Sequence, residues 1–226
     1  MIQVLSVSLP AGALMVTGTV NSAPAAWTLS GPDTWSATVP RAEDDVYHVA
    51  LTIVGSNGLT TQTSLTLYYG LSGLITDRTQ ADVNRVRVLA EKGWDGMTEE
   101  EQSEWKGDLK GAYNVSDMNR VNAAMSYISG RLEGFGYDNG YADQGITWTD
   151  GDKPNQDQLT AYLDNVKAVR AALAVLPTTP PAPDDMAGLT YIEANNIEQI
   201  LLDVDDLLTR MSAAWYYSGD LYSAEV

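Results

Sequence analysis

The 226-residue sequence contains no cysteine, one histidine and one phenylalanine. Without cysteine there are no disulfides, thiolate metal sites or cysteine nucleophiles, and the cellular compartment stays open. The only histidine, His48, excludes metal sites that need several histidines, and no G-x-S-x-G motif accompanies it. A glycosidase would need two carboxylates facing one cleft, and no local pattern selects such a pair. We interpret His48, in a predicted strand, as a solvated or turn-adjacent residue, and we predict that the protein is not an enzyme.

Basic residues are also scarce, since 13 Lys and Arg stand against 30 Asp and Glu, which gives a net charge of −17. Such a surface repels phosphate backbones and anionic lipid headgroups, so we expect neither nucleic-acid binding nor membrane docking. No apolar run approaches the roughly 18 residues of a membrane span, which predicts no membrane insertion. The apolar start lacks a basic region and is broken by Pro10 and Gly12, which predicts no signal peptide.

The first 72 residues show the alternating apolar pattern that is typical of β-strands. Apolar residues alternate with polar ones from Tyr47 to Ile53 and again before Leu65 and Leu67, which places one parity in a core. Leu14, Val16 and Val20 are predicted to share one face, and shorter strands are expected at 25–29 and 34–39. Asn57-Gly58 predicts a hairpin turn, because both residues tolerate positive φ. Six or seven short strands predict a small β-sandwich over residues 1–72.

From residue 73 onward the apolar period changes to that of a helix. Thr98 and Glu101, and later Thr190 and Glu193, are spaced as capping boxes. Three long apolar stripes follow: Met118, Val121, Met125, Ile128, Leu132; then Leu159, Tyr162, Val166, Val169, Leu173, Leu176; then Ile197, Leu201, Val204, Leu208, Met211, Trp215. The predicted fold class is α+β by domains, with a β-sandwich at 1–72 followed by an all-α helical bundle at 73–226.

A shift of 76 residues aligns the helical part with itself without gaps. The shift aligns Asn119 with Asn195 and matches apolar positions of the first and third stripes. This pattern predicts an internal duplication with repeats at 77–150 and 153–226, in which neither unit buries its apolar stripe alone. We interpret both asparagines as hydrogen-bonding to neighbouring loops or capping turns, with a ligand-binding role as the alternative.

The segment 134–154 concentrates glycine, aspartate and aromatic residues. Its carboxylates, Asp138, Asp143, Asp150 and Asp152, are candidate Ca²⁺ ligands, although the EF-hand pattern is absent. Tyr137, Tyr141 and Trp148 are candidate binding residues that could stack on sugars. The favoured interpretation is a connector without a cofactor, in which the glycines and aspartates make turns and the aromatics seal the bundle end. We then expect Asp150 or Asp152 to cap the next helix.

Four stretches carry a family resemblance: "LITDRTQADVNRVRVLAEKGW", "EWKGDLKGAYNVSDMNRVNAAMSYISGRL", "ITWTDGDKPNQDQLTAYLDNVKAVRAAL" and "MAGLTYIEANNIEQILLDVDDLL". Together they resemble a helical module of structural proteins from tailed phages and prophages of Firmicutes. The segment "YHVALTIVGSNGLTTQTSLTLYYG" similarly resembles the last hairpin of bacterial immunoglobulin-like (Ig-like) modules. The helical resemblance covers roughly residues 75–217, and it implies no catalytic residues.

The resemblance implies a non-enzymatic virion protein of the tail, baseplate or fibre, made in the host cytoplasm. Its expected partners are other tail or baseplate proteins and further copies of itself, because tail proteins commonly form symmetric assemblies. Tyr216, Tyr217 and Tyr222 are candidate assembly contacts, with simple packing on the bundle as the alternative. A host-surface glycan or receptor is a further expected partner. The alternative function is a glycan- or receptor-binding adhesin module.

Overall fold

The computed structural model describes residues 2–9, 11–42, 45–107, 109–149 and 151–223, with side chains described up to residue 214. Within these ranges, antiparallel β-sheets occupy the N-terminal part and α-helices follow, so the mixed α+β class is confirmed. None of the helices in the described ranges combines the length and apolar character that a membrane crossing requires.

Seven strands form two antiparallel sheets. The strands are β1 Ile2–Ser8, β2 Ala13–Val20, β3 Ala23–Ala25, β4 Thr28–Gly31, β5 Thr34–Pro40, β6 Val46–Gly55 and β7 Thr60–Tyr68. The order β1-β5-β4 makes one sheet, and the order β3-β2-β6-β7 makes the other. Alternate residues of both sheets point into one shared apolar core, so the sheets pack face to face. That core contains Leu5, Val7, Leu9, Val16, Val20, Trp27, Trp35, Ala37, Val39, Tyr47, Val49, Leu51, Leu65 and Leu67.

The hairpin prediction at Asn57-Gly58 is confirmed. The Gly58 amide donates to the Gly55 carbonyl at 2.9 Å, and Gly58 has a φ of +74°. The predicted strand at 25–29 is wrong, because β3 and β4 are separate strands that belong to different sheets. The predicted face of Leu14 is also wrong. The β2–β6 register shifts between Ala13 and Met15, which leaves Leu14 68% exposed.

Five helices make up the second part of the described chain. They are α1 Gln80–Lys92, α2 Glu99–Lys106, α3 Val115–Gly134, α4 Gln156–Ala171 and α5 Tyr191–Ser223, with a short 3-10 turn at Trp94–Gly96 between α1 and α2. Capping boxes begin α1 to α4, with Thr79, Thr98, Asn114 and Asn155 as N-caps. The paired hydrogen bonds of Thr190 and Glu193 have the same form at the start of α5.

The apolar stripes of α3, α4 and α5 pack into one core. It contains Met118, Val121, Ala124, Met125, Ile128, Leu132, Trp148, Tyr162, Leu163, Val166, Val169, Ile197, Ile200, Leu201, Val204 and Leu208. The stripe predicted to reach Leu176 is too long, because α4 ends at Ala171 and Leu176 is 41% exposed. The side chain of Trp215, the last predicted stripe residue, lies outside the described part.

Candidate functional site at the junction of sheets and helices

The three aromatic candidates of the 134–154 segment occupy different environments. Trp148 is 7% exposed and packs in the helical core, whereas Tyr141 is half-buried against that core. Tyr137 is 38% exposed and is the most accessible of the three. The segment therefore does not present the three rings as one platform.

The described aspartates of this segment each serve a local turn. Asp138 accepts the Gly140 amide at 3.3 Å, and Asp143 accepts the Gly145 amide at 2.9 Å. Asp152 accepts the backbone amide and hydroxyl of Thr149. Asp150 lies outside the described residues. In the part of the chain that the structure describes, no three His, Cys, Asp or Glu side chains gather as a metal site would require.

The cap expected from Asp150 or Asp152 comes instead from Asn155. Its side chain accepts the Gln158 amide at 3.0 Å, and the Gln158 side chain accepts the Asn155 amide at 2.9 Å. Asn155 stands directly before the first helical residue, Gln156, whereas the Asp152 carboxylate is engaged by Thr149.

Asparagine side chains hold the segment against the helices. Asn119, the fifth residue of α3, accepts the Trp148 amide at 2.8 Å and donates to the Trp148 carbonyl at 2.7 Å. Asn165 in α4 makes the same pair of bonds to Ala142, each at 2.9 Å. Each side-chain amide pairs with both the N–H and the C=O of one segment residue, as a neighbouring strand would, which leaves that residue's backbone satisfied. The predicted role of Asn119 as a loop contact is confirmed.

Asn195, the fifth residue of α5, binds Arg78 in the same way. It accepts the Arg78 amide at 3.0 Å and donates to the Arg78 carbonyl at 2.9 Å. Arg78 lies in the linker that joins β7 to α1. The two asparagines aligned by the 76-residue shift therefore each hold the backbone of a segment that leads into a helix, and the predicted loop contact of Asn195 is confirmed.

Four charged side chains form a buried cluster where the linker meets α3 and α5. We call Arg78, Asp117, Arg120 and Glu198 the ion cluster. Arg78 pairs with Asp117 at 2.7 Å and with Glu198 at 2.6 Å. Arg120 pairs with Glu198 at 2.9 Å and also contacts Asp117. Two positive and two negative charges balance, which is the condition under which buried charges are tolerated.

The ion cluster also fixes backbone at both of its ends. The fully buried Glu198 accepts the amide of Ile75 in the linker at 2.5 Å. Asp117 is the capping-box residue of α3 and accepts the Asn114 amide at 2.9 Å. Burial opposes the charged form of Arg120, but the hydrogen bonds and charges of Glu198 and Asp117 outweigh it and raise the pKa above its usual value. The Arg120 guanidinium therefore stays charged.

Aromatic rings extend the ion cluster into the sheet. The Arg120 guanidinium lies 5.6 Å from the ring centre of Tyr68 in β7, within cation–π range. The Tyr68 hydroxyl and the Ser116 hydroxyl of α3 are 2.8 Å apart. Arg78 lies over the ring of Tyr113, whose hydroxyl meets that of Tyr162 at 2.5 Å. Burial raises the pKa of both Tyr113 and Tyr162, so both phenols stay neutral.

Open clefts lie on both sides of the α3–β7 contact. The α2-side cleft, about 390 Å³, is lined by His48, Thr66, Lys106, Ser116, Asn119 and Trp148 among others. The loop-side cleft, about 450 Å³, is lined by Tyr69, Asn122, Ser126, Tyr141, Asp143 and Thr147 among others. His48 is exposed, and its Nδ1 is 3.2 Å from the Thr66 hydroxyl, in agreement with a solvated strand residue.

The sequence offered few signals for the ion cluster, because its members are up to 120 residues apart. The usable signal was Asn114-x-x-Asp117, which has capping-box spacing. Glu198 stands beside the apolar stripe of α5, where periodicity alone assigns a charged residue to solvent. Its burial follows from the arginines, which only the folded chain brings to it.

Comparison with protein-family models, with curated proteins and with solved structures finds no match for this chain. The resemblance of residues 75–217 to phage structural proteins therefore stays a prediction, and function has to be inferred from the geometry of this chain.

Proposed function

We propose that this chain is a non-enzymatic structural protein of a phage virion, in the tail, baseplate or fibre, with host-surface attachment as an additional role. One observation carries the proposal: the motifs that resemble phage modules supply the joint between sheets and helices. Ser116 and Arg120 of the second resembling stretch contact Tyr68 of β7. The ion cluster joins Arg120 to Glu198 of the fourth stretch and, through it, to Arg78 of the first. Residues that fix the sheets against the helices suit a structural subunit, which holds neighbouring proteins of an assembly at fixed positions.

Two finer features of the fold belong to the same proposal. The N-terminal sheets are Ig-like, as their seven short antiparallel strands and two facing sheets suggest. The helical part arose by duplication. The 76-residue shift relates the caps Asn114 and Thr190 and the backbone contacts of Asn119 and Asn195. Separate expression of 73–152 and 153–226 should then give two unfolded chains that become helical on mixing, as measured by circular dichroism.

Self-assembly through α5 is part of the proposed role. Arg120 contacts Glu198, and Arg131 contacts Asp205, so α3 and α5 run side by side in the same direction. Arg131, in the last turn of α3, contacts Asp205. From Asp205, α5 continues to Ser223, about 27 Å further along its axis. Tyr216, Tyr217 and Tyr222 belong to this extension, and their side chains lie outside the described part.

The experiment for the virion role is mass spectrometry of particles purified by density gradient from the source strain after prophage induction. We expect peptides of this chain to co-purify with tail proteins in fixed ratio. Light scattering on the purified chain and on a chain ending at Arg210 tests the assembly surface, and only the longer chain should form a defined oligomer. Intact particles without this chain would contradict the virion role.

A further inference from the structure

The loop-side cleft combines aromatic rings with unused polar groups. It lies between β1, the end of β7, α3 and the segment 141–147. Asn122 is half-buried on α3, and neither its side chain nor that of Thr147 hydrogen-bonds to any residue that the structure describes. The Asn122 side-chain amide therefore remains available to water or to a polar ligand in the cleft.

Counting along the chain singles out Asn122. Glu198 stands three residues after Asn195 in α5. It accepts the amide of Ile75, which stands three residues before Arg78, the residue whose backbone Asn195 binds. At the other asparagine, the position of Glu198 is taken by Asn122, three residues after Asn119. The position of Ile75 is taken by Gly145, three residues before Trp148, whose backbone Asn119 binds. The Gly145 amide donates to Asp143 instead, at 2.9 Å. The contact that closes the ion cluster has no counterpart here, and Asn122 faces an open cleft.

The neighbouring groups suit a ligand with hydroxyls. The Tyr141 hydroxyl is buried and faces Ser126, but the two do not reach hydrogen-bond geometry. Burial raises the pKa of Tyr141 to about 12, so the phenol stays neutral, and with its hydroxyl buried the residue offers its ring to the cleft. Asp143 is exposed and uses one carboxylate oxygen for the Gly145 amide, which leaves the other as an acceptor. The rings of Tyr69 and Tyr141 add apolar surface.

The charge of the lining limits the ligand class. No lysine or arginine stands among the described residues that line the loop-side cleft, and Asp143 contributes a negative charge. An anionic sugar or a phosphate would meet repulsion without a cationic partner. Amide, hydroxyl and carboxylate groups next to aromatic rings match the polar edges and apolar faces of a sugar ring.

We infer that the loop-side cleft binds a neutral saccharide, with Asn122 as its central hydrogen-bonding residue. The inference rests on the attachment role proposed above and not on the assembly role. Its failure would leave the particle experiment untouched, and absence from particles would leave saccharide binding measurable.

The test uses the full chain in ligand-observed NMR at millimolar sugar, with maltotriose, cellotriose, triacetylchitotriose and, as the anionic comparison, trigalacturonic acid. We expect at least one neutral trimer to bind and the anionic trimer not to bind. Asn122→Ala should raise the Kd about tenfold, as expected for the loss of a hydrogen bond to the ligand.

Asn84→Ala is the matched control, because Asn84 lies on α1, is partly buried and does not line the loop-side cleft. Circular dichroism verifies that each variant is folded, and backbone amide shifts on titration locate the bound sugar. The inference is overturned if none of the neutral trimers binds. It is equally overturned if Asn122→Ala binds as tightly as the unmodified chain, or if only the anionic trimer binds.

Discussion

Replacing Glu198 by glutamine is the sharpest test of the ion cluster. The substitution keeps the size of the side chain and removes one negative charge. Glu198 is fully buried and receives hydrogen bonds from Arg78, Arg120 and the Ile75 amide. After the change, Asp117 is the one negative charge of the ion cluster beside the two buried guanidinium groups. The NH₂ group of the new glutamine also faces groups that can only donate hydrogen bonds, such as the guanidinium groups and the Ile75 amide.

The expected cost follows from the burial of the remaining charges. Breaking a buried ion pair by removing one partner typically destabilises a protein by about 3–5 kcal/mol. For a chain of this size, that loss lowers the midpoint of thermal unfolding by roughly 10 °C. Asp117 and Arg120 lie slightly nearer the surface than Glu198. Water that reaches their charges lowers the loss of unfolding free energy towards about 3 kcal/mol.

The assay is urea denaturation followed by circular dichroism at 222 nm, which reports the helices. Glu104→Gln is the matched control, since Glu104 pairs with Arg85 on the exposed side of α2. Exposed pairs contribute little to stability, so the control should unfold like the unmodified chain. If Glu198→Gln lowers the free energy of unfolding by less than about 1 kcal/mol, the ion cluster does not hold the joint in the way described.

Three other changes test separate parts of the fold. Asn195→Ala removes both bonds to the Arg78 backbone and should cost about 2 kcal/mol in urea denaturation, with faster hydrogen exchange at the Arg78 amide. Gly18→Ala would place a methyl group 2.2 Å from the Ala50 carbonyl oxygen, so β2 and β6 must separate, and we expect a lower midpoint of thermal unfolding by calorimetry. Hydrogen bonds lower the pKa of three capping-box carboxylates in the folded chain, so on acidification the unfolded chain binds protons at a higher pH than the folded chain. The free energy of unfolding should therefore fall as pH drops through the ordinary pKa range of carboxylates, which urea denaturation at pH values from 6 to about 3 measures. These carboxylates are Asp82, Glu101 and Glu193.

Much of the fold was predictable because local chemistry specified it. The hairpin at Gly58, the capping box at Thr98 and the stripe from Met118 to Leu132 each depend on residues within a few positions of one another. The split between β3 and β4 was not predictable, because a two-residue gap in an apolar segment does not say that the strands join different sheets. Leu14 was misplaced because a register shift reverses parity, and parity was the only signal.

The candidate site was predictable only in part. The sequence identified the 134–154 segment and the paired asparagines, and it predicted that these asparagines contact loops. It did not indicate that Trp148 would be buried while Tyr137 stayed exposed, since both lie in a glycine-rich segment without a period. Nor did it indicate Asn122, which looks like any polar residue of an amphipathic helix until Gly145 is placed opposite it.

The ion cluster and the loop-side cleft are two outcomes of one local arrangement. In both places an asparagine of a long helix binds the backbone of a segment residue, and a polar side chain follows one turn later. Where that side chain is Glu198, the linker amide and two arginines saturate it, and the joint closes around balanced charge. Where it is Asn122, the amide of Gly145 is already taken by Asp143, and no arginine is present in the cleft lining that the structure describes. A buried ion pair contributes orientation more than stability, whereas an unpaired amide beside tyrosines leaves room for a ligand. One side of the helical part is thus a closed, charge-balanced joint, and the other is the open cleft for which we propose saccharide binding.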